Sequence, residues 1–181
     1  MVAIPTESTY GLAVDPSDAR AVAAVLRVKG RPASQALPVV AGSIEDLLRL
    51  GVRLDLPELA PVLAAWPAPL TAVVPLARPL AAALGASTLA VRVPSHPRLR
   101  ALLSSLGRAV TATSANVSGQ KPAVEASEVH ALLAGERAAV IEEPRLPGGA
   151  PSTIVAALDG RLVVLRQGRF PVARLFAARP G

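Results

Sequence analysis

The chain has 181 residues, 51% of them apolar and 18% charged, which excludes a disordered polymer and suits one domain with a buried core. It has no cysteine and two histidines far apart, His96 and His130, so disulfides, thiolate catalysis and zinc–cysteine sites are excluded and a histidine-built metal centre is not expected. The net charge of +6 and the pI near 11.2 point to an anionic partner, whether nucleotide, RNA or acidic lipid, although a genome-wide bias toward Arg, Ala and Pro explains most of the arginines equally well.

Only 2% of the residues are aromatic, so Ala, Val and Leu must build the core. Lysines are rare, Lys29 and Lys121 alone, so a lysine in a loop is more informative here than an arginine. No basic segment followed by an apolar run opens the chain, and the weakly charged span 56–77 is broken by Pro57, Pro61, Pro67, Pro69 and Pro75. Neither a secretory signal nor a membrane helix is expected, and a cysteine-free chain suits the cytoplasm.

In chain order, Val2-Ala3-Ile4 predicts a short strand running into Pro5-Thr6-Glu7-Ser8-Thr9-Tyr10-Gly11-Leu12, a polar segment that serves either as a binding loop or as a plain strand-to-helix connection. Apolar residues at Ala21, Val22, Val25, Leu26 and Val28 predict a helix capped by Ser17 or Asp15 and ended by Gly30 and Pro32. Lys29 and Arg31 then either complement the helix dipole or, if the backbone is extended, project to one side as a pair of phosphate-binding cations. Residues 37–40 read as a strand, and Ser43 with Asp46 as a capping box for a helix to about Leu50.

A proline-interrupted helical stretch leads to a strand at 71–74 and a short helix at 79–84. Residues 88–94 predict a strand whose one charge, Arg92, stands just before the Pro94-Ser95-His96-Pro97 turn. Such an arginine either faces solvent or binds an anion at the strand end. A helix over 98–106 is followed by Ala109-Val110, the end of a buried strand, and by Thr111-Ala112-Thr113-Ser114-Ala115-Asn116-Val117-Ser118-Gly119. That polar exit is either a capped turn or the wall of a ligand pocket at the carboxyl edge of a sheet. A helix at 126–133, a strand at 138–141 and a loop at 142–151 follow. Strands at 152–157 and 161–166, joined by Asp159-Gly160, predict a hairpin with Ser152 and Arg166 at the same end.

No Walker loop, Gly-x-Gly-x-x-Gly or Gly-x-Ser-x-Gly occurs, and no carboxylate pair is placed for acid/base work. What stands at element ends is a set of cations and hydroxyls, Thr6, Lys29, Arg31, Arg92, Ser114, Asn116, Ser152 and Arg166. Such a set suits charge neutralisation and positioning rather than covalent catalysis.

The segments Pro5 to Leu12, Lys29-Gly30-Arg31-Pro32, Pro69-Leu70-Thr71, Val91-Arg92-Val93-Pro94, Thr113 to Gly119, Ser152-Thr153-Ile154-Val155 and Leu165-Arg166-Gln167-Gly168 resemble, in order and over nearly the whole chain, the motifs of the YrdC family, the threonylcarbamoyl-AMP synthases. The pairing of Lys-x-Arg with Ser-x-Asn is that family's signature. The resemblance implies a single α/β domain over 1–181, with a twisted, mostly open mixed sheet flanked by helices around a basic cavity. It also implies an activity in which ATP, L-threonine and bicarbonate give threonylcarbamoyl-AMP and pyrophosphate, for a separate transferase that completes threonylcarbamoyladenosine in tRNA.

By the same resemblance Lys29 and Arg31 are expected at the phosphates, with Mg2+ carried on ATP. Ser114, Asn116, Arg166 and Thr88 are expected at the nucleotide, and Thr6, Arg92 and Ser152 at the threonine. The chain departs from the family's pattern in the short strand before Pro5, in Ala36 where proline is usual and in Ala68 where glycine is usual. No C-terminal domain like that of longer members is expected. Two other readings remain open at this stage. One is a YrdC-like paralogue with altered carbamoyl chemistry; the other is a module binding tRNA or double-stranded RNA, for which no interleaved aromatic platform is present.

Overall fold

The computed structural model describes residues 1–30 and 35–176. Strand β1 (Val2–Pro5) turns back into β2 (Tyr10–Ala13), so the polar segment after β1 is a hairpin turn and a second strand, not one open loop. Helix α1 (Ala19–Val28) is capped by Asp18, whose carboxylate accepts from the Arg20 and Ala21 N–H groups. Asp15 instead accepts from Ser17 N–H one step earlier, which is why neither predicted residue is the cap. Strand β3 is only Val39–Val40, because Pro38 has no N–H for the ladder and Leu37 N–H turns away to Ala82 O.

Helix α2 (Ile44–Leu50) begins at Ser43, as its pattern predicts. A 3-10 turn and α3 (Ala60–Ala65) lead to β4 (Leu70–Pro75). The predicted helix at 79–84 shrinks to a 3-10 turn, Ala81–Ala83, before β5 (Thr88–Arg92). Helix α4 (Pro97–Leu106) is capped by His96 Nδ1 and followed by β6 (Val110–Thr111) and β7 (Thr113–Ser114). Then come α5 (Ala126–Leu132), β8 (Ala139–Val140), the hairpin β9 (Thr153–Leu158) and β10 (Arg161–Arg166), and α6 (Ala173–Phe176).

The strands form two open mixed sheets, ordered β7-β2-β1-β8 and β10-β9-β4-β5-β3-β6. In the larger sheet the two-residue period puts Leu70, Ala72, Val74, Leu89, Val91 and Val155 in the core at 0–1% exposure. Their neighbours Thr71, Ala90, Arg92 and Ile154 face the other way and line a cavity.

The chain crosses from the larger sheet to the smaller between Thr111 and Thr113, which makes the predicted polar exit a junction between sheets. Fully buried Thr111 staples it. Its hydroxyl accepts from Val14 N–H at 3.0 Å and donates to Leu12 O at 3.1 Å. Thr111→Val keeps the shape but leaves Val14 N–H without its acceptor and takes one donor from Leu12 O, so urea denaturation should show a loss of about 1–3 kcal/mol. An unchanged midpoint would mean that the two sheets are joined by packing alone.

Candidate active site

The cavity between the two sheets has a volume of about 450 Å³. Thr6, Lys29, Arg92, Ser114, Asn116, Ser152 and Arg166, separated widely in sequence, all line it. Thr88 does not: it is exposed at the opposite end of β5 from Arg92. Arg31 lies outside the described residues.

Lys29 caps the C-terminus of α1 in a helical conformation, and Gly30 has φ of +57°, a left-handed value that suits glycine. The backbone here is therefore not extended, and the same-side argument for Lys29 and Arg31 does not hold. Instead the Lys29 ammonium, only 3% exposed as a residue, turns toward the Ser-x-Asn segment. It donates to Ser114 O at 2.5 Å, Asn116 Oδ1 at 3.0 Å and Asn116 O at 3.2 Å, while Lys29 O accepts from Ser118 N–H at 2.9 Å. Ser114 Oγ donates to Asn116 Oδ1 at 2.6 Å, and Asn116 Nδ2 donates to Val117 O and Gln120 O. Lysine is thus the organiser of a braced loop whose positive charge lies at the cavity wall.

On the opposite wall a register shift between Val164 and Arg166 sets Arg166 against Ile154, on the cavity face of the sheet. Its guanidinium donates to Ser152 O at 3.2 and 2.9 Å, which bears out the predicted Ser152–Arg166 proximity. Ser152 Oγ and Thr71 Oγ1 lie 2.8 Å apart. Gly168 is needed close by, since a Cβ there would overlap Pro151 O and the Ser152 carbonyl. Thr6 is the pivot of the β1–β2 turn: its hydroxyl donates to Thr9 O at 2.7 Å.

The residue that the sequence reasoning missed is Glu7. Its Oε2 accepts from Arg92 Nη1 at 2.8 Å, and both side chains are only 12% exposed. Oε1 accepts from Ser95 N–H at 2.7 Å and from Ser95 Oγ at 3.2 Å. A signal was available, because Glu7 is the one carboxylate in the polar turn after β1, but nothing local named a partner 85 residues away. Tyr10, fully buried, was also passed over; its hydroxyl donates to Glu143 O and accepts from Glu143 N–H, fastening the 142–151 loop to β2.

Burial pushes the Glu7 pKa up, yet Arg92 and the hydrogen bonds from its own backbone and from Ser95 together hold it below the usual glutamate value. The sign follows from that depression. The pair's contribution to stability is complete above the ordinary glutamate range and is lost only as pH falls through the lowered native value. Arg166 is held below the usual arginine value by partial desolvation and then by the neighbouring Arg92 charge. It remains a cation, since arginine does not deprotonate near neutral pH. Two guanidiniums that repel each other across a polar cavity make a demand for an anion.

Among the described residues no group of three or more His, Asp or Glu side chains could hold a metal ion, and no helix is long and apolar enough to cross a membrane. The fold and site define an α/β protein with a cavity lined by fixed cations, hydroxyls and braced backbone, a lining suited to anionic small molecules. The Sua5/YciO/YrdC family model, described as telomere recombination, matches residues 1–168, and the chain belongs to that family.

The chain is 40% identical over 163 residues to the threonylcarbamoyl-AMP synthase of Halorhodospira halophila, covering 89% of this chain and 84% of that one. It is 38% identical over 167 residues to that of Methylobacillus flagellatus, covering 90% and 91% respectively. Among solved structures, P. abyssi Sua5 in complex with L-threonine superposes with a TM-score of 0.85 at 33% identity, over 97% of this chain and 52% of the other. The chain therefore spans about half the length of that Sua5.

Proposed function

We propose that the chain is a nucleotidyltransferase that makes threonylcarbamoyl-AMP and pyrophosphate from ATP, L-threonine and bicarbonate. The observation that carries this reading is the convergence, on one cavity, of residues from nearly every motif of the family. The threonylcarbamoyl-AMP synthases at 38–40% identity, matched over most of their own length, support it further.

The threonine amine forms a carbamate with carbon dioxide released from bicarbonate, so that amine and bicarbonate give carbamate and one water. A carbamate oxygen attacks the α-phosphorus of ATP, a P–O bond forms, and the bond to the bridging oxygen breaks to release pyrophosphate. Little covalent work falls to the protein in such a transfer, so positioning and charge stabilisation dominate. Arg92 pairs with the threonine carboxylate, and Thr6 and Ser152 line that side. Arg166 and the loop of Ser114 and Asn116 meet the nucleotide. Lys29 supplies charge and braces the loop, and Arg31 is assigned to the leaving phosphates with it. Thr88 keeps a nucleotide role only if the ligand extends beyond the cavity.

Mg2+ enters on the triphosphate as part of the substrate. The recess also limits water, in which both the carbamate and the mixed anhydride hydrolyse. The product's chemistry calls for a transferase that places the threonylcarbamoyl group on tRNA in the cytoplasm, and tRNA or other double-stranded RNA is a candidate for direct binding by this basic chain.

Pyrophosphate release should be measured with ATP and Mg2+, adding threonine and bicarbonate singly and together. Release that needs both is the expected result; release dependent on carbamoyl phosphate, or none at all, would overturn the reading.

A further inference from the structure

We propose that Glu7 is a positioning residue, whose carboxylate fixes the Arg92 guanidinium from behind so that its remaining N–H donors meet a substrate carboxylate in one orientation. This inference deepens the assignment of Arg92 made above and rests on it. Thr6 and Ser8 line the cavity, but Glu7 between them does not. Its side chain leaves the β1–β2 turn of the smaller sheet and reaches the end of β5 in the larger one, where it takes Arg92 with one oxygen and Ser95 with the other. Glu7 O also accepts from Arg169 Nη1 at 2.5 Å, so the turn is held at both its main chain and its side chain.

Arg92 has five N–H donors in a rigid fork, and among the described residues its one hydrogen bond is to Glu7. The bond at Nη1 anchors one end of the guanidinium and leaves its other donors for a second carboxylate. Glu7 also supplies the counter-charge for Arg92. Arg166 spends its donors on Ser152, and no carboxylate other than Glu7 bonds to either arginine among the described residues. With Glu7 in place Arg92, Arg166 and Glu7 together carry one net positive charge, which suits an anion.

The test compares Glu7→Gln and Glu7→Asp by calorimetric binding of L-threonine and of ATP, with melting temperatures recorded in parallel. Glu7→Gln keeps the size and loses the charge, and should weaken threonine binding about 10-fold while ATP binding stays within about 2-fold. Glu7→Asp keeps the charge and should recover part of that loss. Parallel weakening of both ligands that tracks a lowered melting temperature would make Glu7 a structural residue and overturn the proposal.

The Arg92 Nε–H resonance, assigned with an Arg92→Lys variant, gives a readout independent of the substrate. It should be well ordered in the wild type and broadened or mobile in Glu7→Gln. If the wild type binds no threonine, the proposed activity fails, and this resonance alone decides whether Glu7 orders Arg92. An unchanged resonance would overturn the positioning role.

Discussion

Replacing Lys29 with alanine is expected to lower turnover by about 10²–10³, the scale on which fixed donors and charges stabilise a developing anion. Two losses combine in this variant. The cavity wall loses a buried cation, and Ser114 O, Asn116 O and Asn116 Oδ1 lose a shared donor. The loop is then free to turn its oxygens toward the nucleotide, where like charge disfavours them. Stability should fall as well, by about 1–3 kcal/mol, because part-buried acceptors lose a charged donor and Asn116 Oδ1 keeps only the Ser114 hydroxyl. The two effects separate if turnover is measured well below the melting temperature. A near-normal rate there would show that the braced loop is only architectural, whereas a slow rate in a folded protein supports the role in transition-state stabilisation.

Arg92→Ala should raise the threonine KM by about 10-fold to 100-fold, which corresponds to about 1.5–3 kcal/mol for a hydrogen bond to a charged group. The ATP KM should change far less, because Arg166 and the Ser114–Asn116 loop remain. The variant also strands the Glu7 carboxylate beside Ser95 without its cation, so part of any loss reflects an uncompensated buried charge. The double variant Arg92→Ala, Glu7→Gln removes that component. If it regains stability but not threonine affinity, the affinity belonged to Arg92. Equal increases in the KM for threonine and for ATP would undo the assignment of its partner.

Much of the local structure is legible along the chain because its causes are local. Ser43 with Asp46 marks the start of α2, short apolar runs at 71–74 and 88–94 mark β4 and β5, and Asp159-Gly160 marks the turn that brings Ser152 and Arg166 to one end. Where the reading misjudged a boundary, a backbone detail explains it. Asp18 outcompetes Asp15 and Ser17 as a cap, and Pro38 keeps β3 short.

The sequence by itself determined the α/β character, the absence of cysteine chemistry and the inventory of cations and hydroxyls at element ends, since these follow from composition, periodicity and caps. Tertiary structure alone decided what each of those groups faces. It set Lys29 on Ser114 and Asn116, Glu7 on Arg92 and Ser95, and Thr71 on Ser152, and it left Thr88 outside the cavity. It also split the strands into two sheets at Thr111 and Thr113. The physical reason is range: a strand's two-residue period says which face a side chain takes, but hydrogen bonds and ion pairs form between whichever charged groups the packing of two sheets brings within about 3 Å.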